Sequence, residues 1–202
     1  MFGCILLALV YLAFLIWHEP WFSRRLEPGE AIAAIGGDYA ESDPEERRAF
    51  EAFMDGDDGR PFYMLNLMRY RGQAEYRDGK LPDGGVAAGL TGREAGRLYE
   101  RMVVPELLKR GCYPVFVSRK IGNLLSAGSG SDFFEEIAVV RYRSRRDMLS
   151  MVASRPFIEG IPHKWASLEK TVAVPTRLML LVDLRTLVPL TLFAAYAIAG
   201  WF

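Results

Sequence analysis

Residues 61–70 read PFYMLNLMRY, and this stretch decides the fold. Aromatic and aliphatic side chains fill it around a single amide, Asn66, a composition that suits a β-strand. The segment DGDDGR at 55–60 is turn chemistry and delivers the chain into it. Alternation sets Tyr63, Leu65, Leu67 and Arg69 on one side and Phe62, Met64, Asn66, Met68 and Tyr70 on the other. Both sides are largely apolar, so the sheet is expected to be covered on both faces.

Upstream, 26–41 reads as a linker with a short helix at Glu30–Ile35, and Ser42-Asp-Pro-Glu45 caps a helix over Arg47–Met54. Downstream, Gly72–Leu90 is polar and Gly-rich and reads as a long mobile loop. Thr91-Gly-Arg-Glu94 is a capping box opening a helix to about Arg110; Pro105 is expected to kink it and Gly111 to stop it. Two β-rich runs, Tyr113–Leu125 and Phe133–Tyr142, flank the hairpin loop SAGSGSD. Ser144-Arg-Arg-Asp147 caps a helix through Ala153; a shorter helix at His163–Glu169 and a strand at Thr171–Val174 follow. This order predicts an α+β fold, a ferredoxin-like βαββαβ domain with two helices on one face of a four-stranded antiparallel sheet. Its second face would then need a partner sheet, most simply from a second copy of the chain.

The 202 residues carry 25 basic and 25 acidic side chains, which argues against a nucleic-acid footprint. Cys4 and Cys112 lie in segments too unlike to suggest a disulfide, and no metal-ligand spacing occurs. The two ends are apolar. Phe2–Trp17 is uncharged and is followed by HEPWFSRR, the aromatic and basic flank of a retained anchor. Thr186–Phe202 is uncharged again, with Asp183 and Arg185 at its upstream boundary. The division expected is a transmembrane anchor at 1–22, a linker at 23–60, the α+β domain at 61–176 and a second transmembrane helix at 177–202. The flanking arginines predict an inner-membrane protein with two spans and a cytoplasmic central domain.

The runs LNLMRYRGQAEY, TGREAGRLYERMVVPELLKRGCYPVF and DFFEEIAVVRYRSRRDMLSMVASRPFIEGIPHKWASLEKT resemble an uncharacterised small-domain family of the dimeric α/β-barrel superfamily. The likeness covers residues 62–176. It implies two sheets packed face to face, with a ligand cavity between sheet and helices. Relatives in that superfamily include cofactor-free monooxygenases, muconolactone-isomerase-like enzymes and haem-binding members. His163 and Glu136 match positions of the family pattern.

Each candidate residue admits two roles. Asn66 can orient a ligand carbonyl or tie neighbouring strands together. His163 is a candidate general base, or a helix-start histidine held by its neighbours. Arg69 and Arg119 stand at strand ends, where arginines clamp anions or pair with acids such as Glu135 and Glu136. Tyr99 and Trp165 can line a pocket or pack the core. No phosphate loop, nucleophile triad or metal cluster is present, so no cofactor is expected. Two functions remain on these residues. One is an accessory or assembly subunit of a larger membrane complex. The other is a cofactor-independent monooxygenase or isomerase using His163, Asn66 and Arg69.

Overall fold

The structure, a computed structural model, describes residues 2–35, 43–82, 84–85, 89–124, 133–180, 190–192 and 194–195. The chain runs through α1 (Phe2–His18), α2 (Glu30–Ile35), α3 (Pro44–Asp55), β1 (Phe62–Tyr70), α4 (Gly92–Lys109), β2 (Tyr113–Arg119), β3 (Glu136–Tyr142), α5 (Arg145–Val152), α6 (Arg155–Ser167) and β4 (Leu168–Thr176). The strands form one antiparallel sheet in the order β2-β3-β1-β4.

Local chemistry accounts for most boundaries. Asp43 caps α3 by accepting from the Glu45 N–H, with Pro44 in the first turn, where its missing N–H is harmless. At α4 the capping box is complete: Thr91 Oγ1 accepts from Glu94 N–H at 3.3 Å, and Glu94 accepts from the Thr91 N–H at 2.8 Å. That helix runs on through Pro105 and ends at Lys109, just before Gly111, where the stop is expected. Ser144 caps α5. The expected short helix at His163–Glu169 is instead a 13-residue helix that starts at Arg155, and Leu168 and Glu169 already belong to β4. Pro156 sits in its first turn, so only Pro162 forfeits an internal hydrogen bond.

The even-numbered side of β1 meets the helices. Phe62 stacks on Tyr142 with ring centroids 5.0 Å apart, and both pack with Val103 and Leu107 of α4 and Met148 of α5. Met54, Cys112 and Met151 close this core at 0–2% exposure. Gly92 permits the tight entry of α4: a Cβ there would lie 2.5 Å from the carbonyl oxygens of Arg71 and Ser167. The loop after β1 is partly anchored rather than free, because Tyr76 is buried against Ala95 and Ala166.

The odd-numbered side of β1 is half-buried, and the described elements of the chain itself leave that face of the sheet open. Leu65 and Leu67 pair in register with Val139 and Ile137 on one side and Val174 and Val172 on the other. Phe116 is 52% exposed and Val174 41%, so no described element lies over them. Apolar alternation on both sides of a strand reports only that both are suited to contact.

The two-span, inner-membrane placement with a cytoplasmic central domain is also corrected. Among the described residues, no helix is long and apolar enough to cross a membrane. At 17 residues α1 is about 25 Å long, short of a hydrocarbon core of about 30 Å. Its last turn is bound to the domain instead. The Trp17 indole N–H donates to the Leu108 carbonyl at 2.7 Å, and Arg141 and Arg143 donate to the carbonyls of His18 and Trp17 at 3.0 and 3.2 Å. The second expected span, Thr186–Phe202, lies mostly outside the described residues, as does the loop SAGSGSD.

Candidate functional site

Antiparallel pairing brings the ends of β1 and β2 and the starts of β3 and β4 to one rim of the sheet. The capped N-terminus of α4 arrives at the same rim through Thr91 and Arg93. Two adjoining cavities of about 440 and 600 Å³ open there and share Arg69, Arg93 and Glu135.

Arg93 organises this rim. Its guanidinium donates to Glu136 Oε2 at 2.8 Å and Glu135 Oε2 at 3.1 Å and lies 4.5 Å from the centre of the Tyr70 ring. The Tyr70 hydroxyl donates to Glu136 Oε1 at 2.9 Å. Burial, reinforced by the Glu136 carboxylate, pushes the Tyr70 phenol well above its ordinary range, so it remains a donor. Arg69 pairs with Glu169 at 3.2 Å, and Arg71 with Glu75 at 2.7 Å. The Arg71 Nε is buried with no hydrogen-bond partner among the described residues. Exposed Arg119 has no ion pair among the described residues.

The residues singled out in the sequence separate into groups. Arg69, Arg119 and Glu136 come together at the rim. Asn66 lies in mid-strand, its side-chain N–H₂ donating to the carbonyls of Met64 at 3.1 Å and Ala138 at 3.2 Å, which ties β1 to β3. Asn66 and Arg69 occupy opposite sides of β1, so one small ligand cannot engage both from a single face. His163, on α6, is hydrogen-bonded through Nδ1 to the Tyr76 hydroxyl at 2.7 Å, with the rings edge to face. Tyr99 packs edge to face on Phe157. Lys164 lies over the rings of both Tyr99 and the half-exposed Trp165. Burial lowers the Lys164 ammonium and raises the Tyr99 phenol.

Sequence reading missed Arg93, Arg71, Lys120 and the pair Phe133–Phe134. Arg93 had a signal: it stands inside a capping box, which fixes it in the first turn of a helix. The others had none, since they reach the rim only through strand register. No group of three or more His, Cys, Asp or Glu side chains suited to a metal ion occurs among the described residues. What the rim gathers is several guanidiniums, partly neutralised, beside aromatic surface.

An α+β domain with a four-stranded antiparallel sheet and helices on one face defines the class. Two crystal structures of RPA0582, a protein of unknown function from Rhodopseudomonas palustris, share that fold. The methylated form matches with a TM-score of 0.58 at 22% identity, over 71% of this chain and 96% of that one. The other form matches at 0.55 and 23%, over 71% and 97%. Identity this low speaks for the fold alone. No protein-family model matches the chain, and no curated protein does.

Proposed function

We propose that the chain is a docking module, an accessory or assembly subunit whose open sheet face is covered by the same face of a second copy. In this arrangement the domain is ferredoxin-like and two copies pair as a dimeric α/β barrel. The carrying observation is the apolar face on which Phe116, Val172 and Val174 are exposed beside half-buried Leu65, Leu67 and Val139. The strand order β2-β3-β1-β4 and the position of α4 between β1 and β2 support the ferredoxin-like arrangement. Helix α1 supports docking as well. It exposes apolar side chains around its circumference, from Ile16 at 43% to Leu7 at 71%, so it adds a second surface suited to contact.

A cofactor-independent monooxygenase or isomerase has less support. Asn66 ties β1 to β3 and His163 sits beside Tyr76, and neither lines the two cavities that hold Arg69, so the three residues do not share one cavity at the rim.

Sedimentation of the full chain tests the docking module. Wild type is expected as a dimer and Leu67→Glu as a monomer, because a carboxylate cannot be buried unpaired between two sheets. Leu9→Glu on α1 separates association through that helix from association through the sheet. A monomeric wild type, or a dimer that survives Leu67→Glu and dissociates with Leu9→Glu, overturns pairing through the sheet.

A further inference from the structure

We propose that the groove at the arginine rim binds an amphipathic organic anion, a carboxylate carried on an aromatic or aliphatic body. The larger cavity, about 600 Å³, lies in the range of small-molecule pockets. Among the described residues Arg69, Arg93, Arg119 and Lys120 line it together with Glu135. Pairing with Glu169 and with Glu135 and Glu136 neutralises Arg69 and Arg93. Arg119 keeps its charge and its planar fork of donors, the geometry that meets a carboxylate with two parallel hydrogen bonds.

The apolar half of the ligand is written in the opposite wall. Phe133 and Phe134 meet edge to face at 6.0 Å. Each carries a lysine over its ring: Lys170 at 4.5 Å from Phe133 and Lys120 at 5.2 Å from Phe134. Ile121, on the same groove, is fully exposed. A purely inorganic anion would leave this apolar surface in water, whereas a neutral apolar ligand would leave Arg119 uncompensated. An apolar acid satisfies both, its carboxylate on Arg119 and its body across Phe134 and Ile121. Arg119 is in register with Glu136 and Met68, on the side of the sheet opposite Leu67, so the ligand and the second copy can be tested by separate substitutions.

Titration of the full chain at low salt with 2-naphthoate, octanoate, 2-naphthamide and inorganic phosphate tests the assignment, followed by calorimetry or by chemical shifts. At least one carboxylate is expected to saturate with a Kd of about 1 mM or tighter. Arg119→Ala should weaken it about tenfold or more, with Arg119→Lys intermediate. Phe134→Ala should weaken the carboxylates and leave phosphate unchanged. The neutral amide should not bind measurably. Absence of saturable carboxylate binding up to about 10 mM, or a Kd unmoved by Arg119→Ala, overturns the site. Phosphate binding as tightly as naphthoate reduces it to a bare anion patch and overturns the ligand class. Arg119 is exposed, so its loss should leave the sedimentation of the chain unchanged, and failure here leaves the docking module standing.

Discussion

The two rims of the sheet use the same side chain in opposite ways. At the rim where β2 begins, the Arg141 side chain is 4% exposed and its Nη1 ends on the carbonyls of His18 at 3.0 Å and Gly111 at 3.3 Å. Glu19 stands 3.7 Å away and the Tyr113 ring 5.8 Å away. At the other rim Arg69, Arg93 and Arg119 face carboxylates or open cavity. A guanidinium committed to backbone carbonyls holds the path of the chain. One standing in a groove keeps a charge that a second molecule can use. Burial and the type of acceptor therefore separate a structural arginine from an available one.

The sharpest break of this comparison is Arg141→Met, which keeps the length and removes the donors. It leaves two carbonyls unpartnered and should lower unfolding stability in urea by about 3 kcal/mol. Arg119→Ala, in the same experiment, should change it by no more than about 0.5 kcal/mol. Equal losses at the two positions would erase the distinction.

Gly111→Ala comes next. Gly111 has a φ of +68°, and a Cβ there would lie 2.1 Å from the Trp17 carbonyl oxygen. The left-handed backbone and the clash together should lower stability by about 2 kcal/mol or more. Because the clash falls on α1, proteolysis within 19–25 should accelerate before the sheet unfolds.

At the open rim the largest local loss is expected from Thr91→Ala. Removing the cap of α4 should lower stability by about 1 kcal/mol, read from thermal unfolding. If it lowers stability as much as Arg141→Met, the open rim is as structural as the closed one.

The smallest effect is chemical. Burial, the dominant cause, pushes the Cys112 thiol up to about 11 from an ordinary 9.0. The folded chain should resist alkylation at Cys112 at pH 8, followed peptide by peptide, and react fully in denaturant. The folded thiol keeps its proton where the unfolded one loses it. Its contribution to stability is thus complete below pH 9 and falls as the pH rises towards 11.

How much of this was legible in the residues varies with the range of the interaction. β1 was readable because a run of aromatic and aliphatic side chains, broken by Asn66 and Arg69, follows a turn-rich lead. The starts of α4 and α5 were readable because Thr91 with Glu94 and Ser144 with Asp147 are contacts three residues apart. The extent of α6 was hidden by Pro156, Gly160 and Pro162, whose local preferences are overridden by packing: Gly160 fits directly under Tyr99. The apolar run of α1 suggested a span, because a sequence shows hydrophobicity and not the bonds that Arg141 and Arg143 donate to its last turn, or the one its Trp17 donates to the Leu108 carbonyl. Arg69 and Arg119 were noticed at strand ends, and Asn66 was noticed as an amide in need of partners. That Asn66 serves two carbonyls, and that the two arginines share a groove with Arg93, depends on which strands lie side by side.

The sequence by itself determined the local elements, their order and the apolar character of both sides of β1. Those follow from side-chain shape, alternation and capping within a few residues. The tertiary structure decided that one side of β1 meets the helices while the other meets none of the described elements, that Arg141 is enclosed while Arg119 is exposed, and that four distant segments meet at one rim. Antiparallel register sets all three, and register is the outcome of packing across more than a hundred residues.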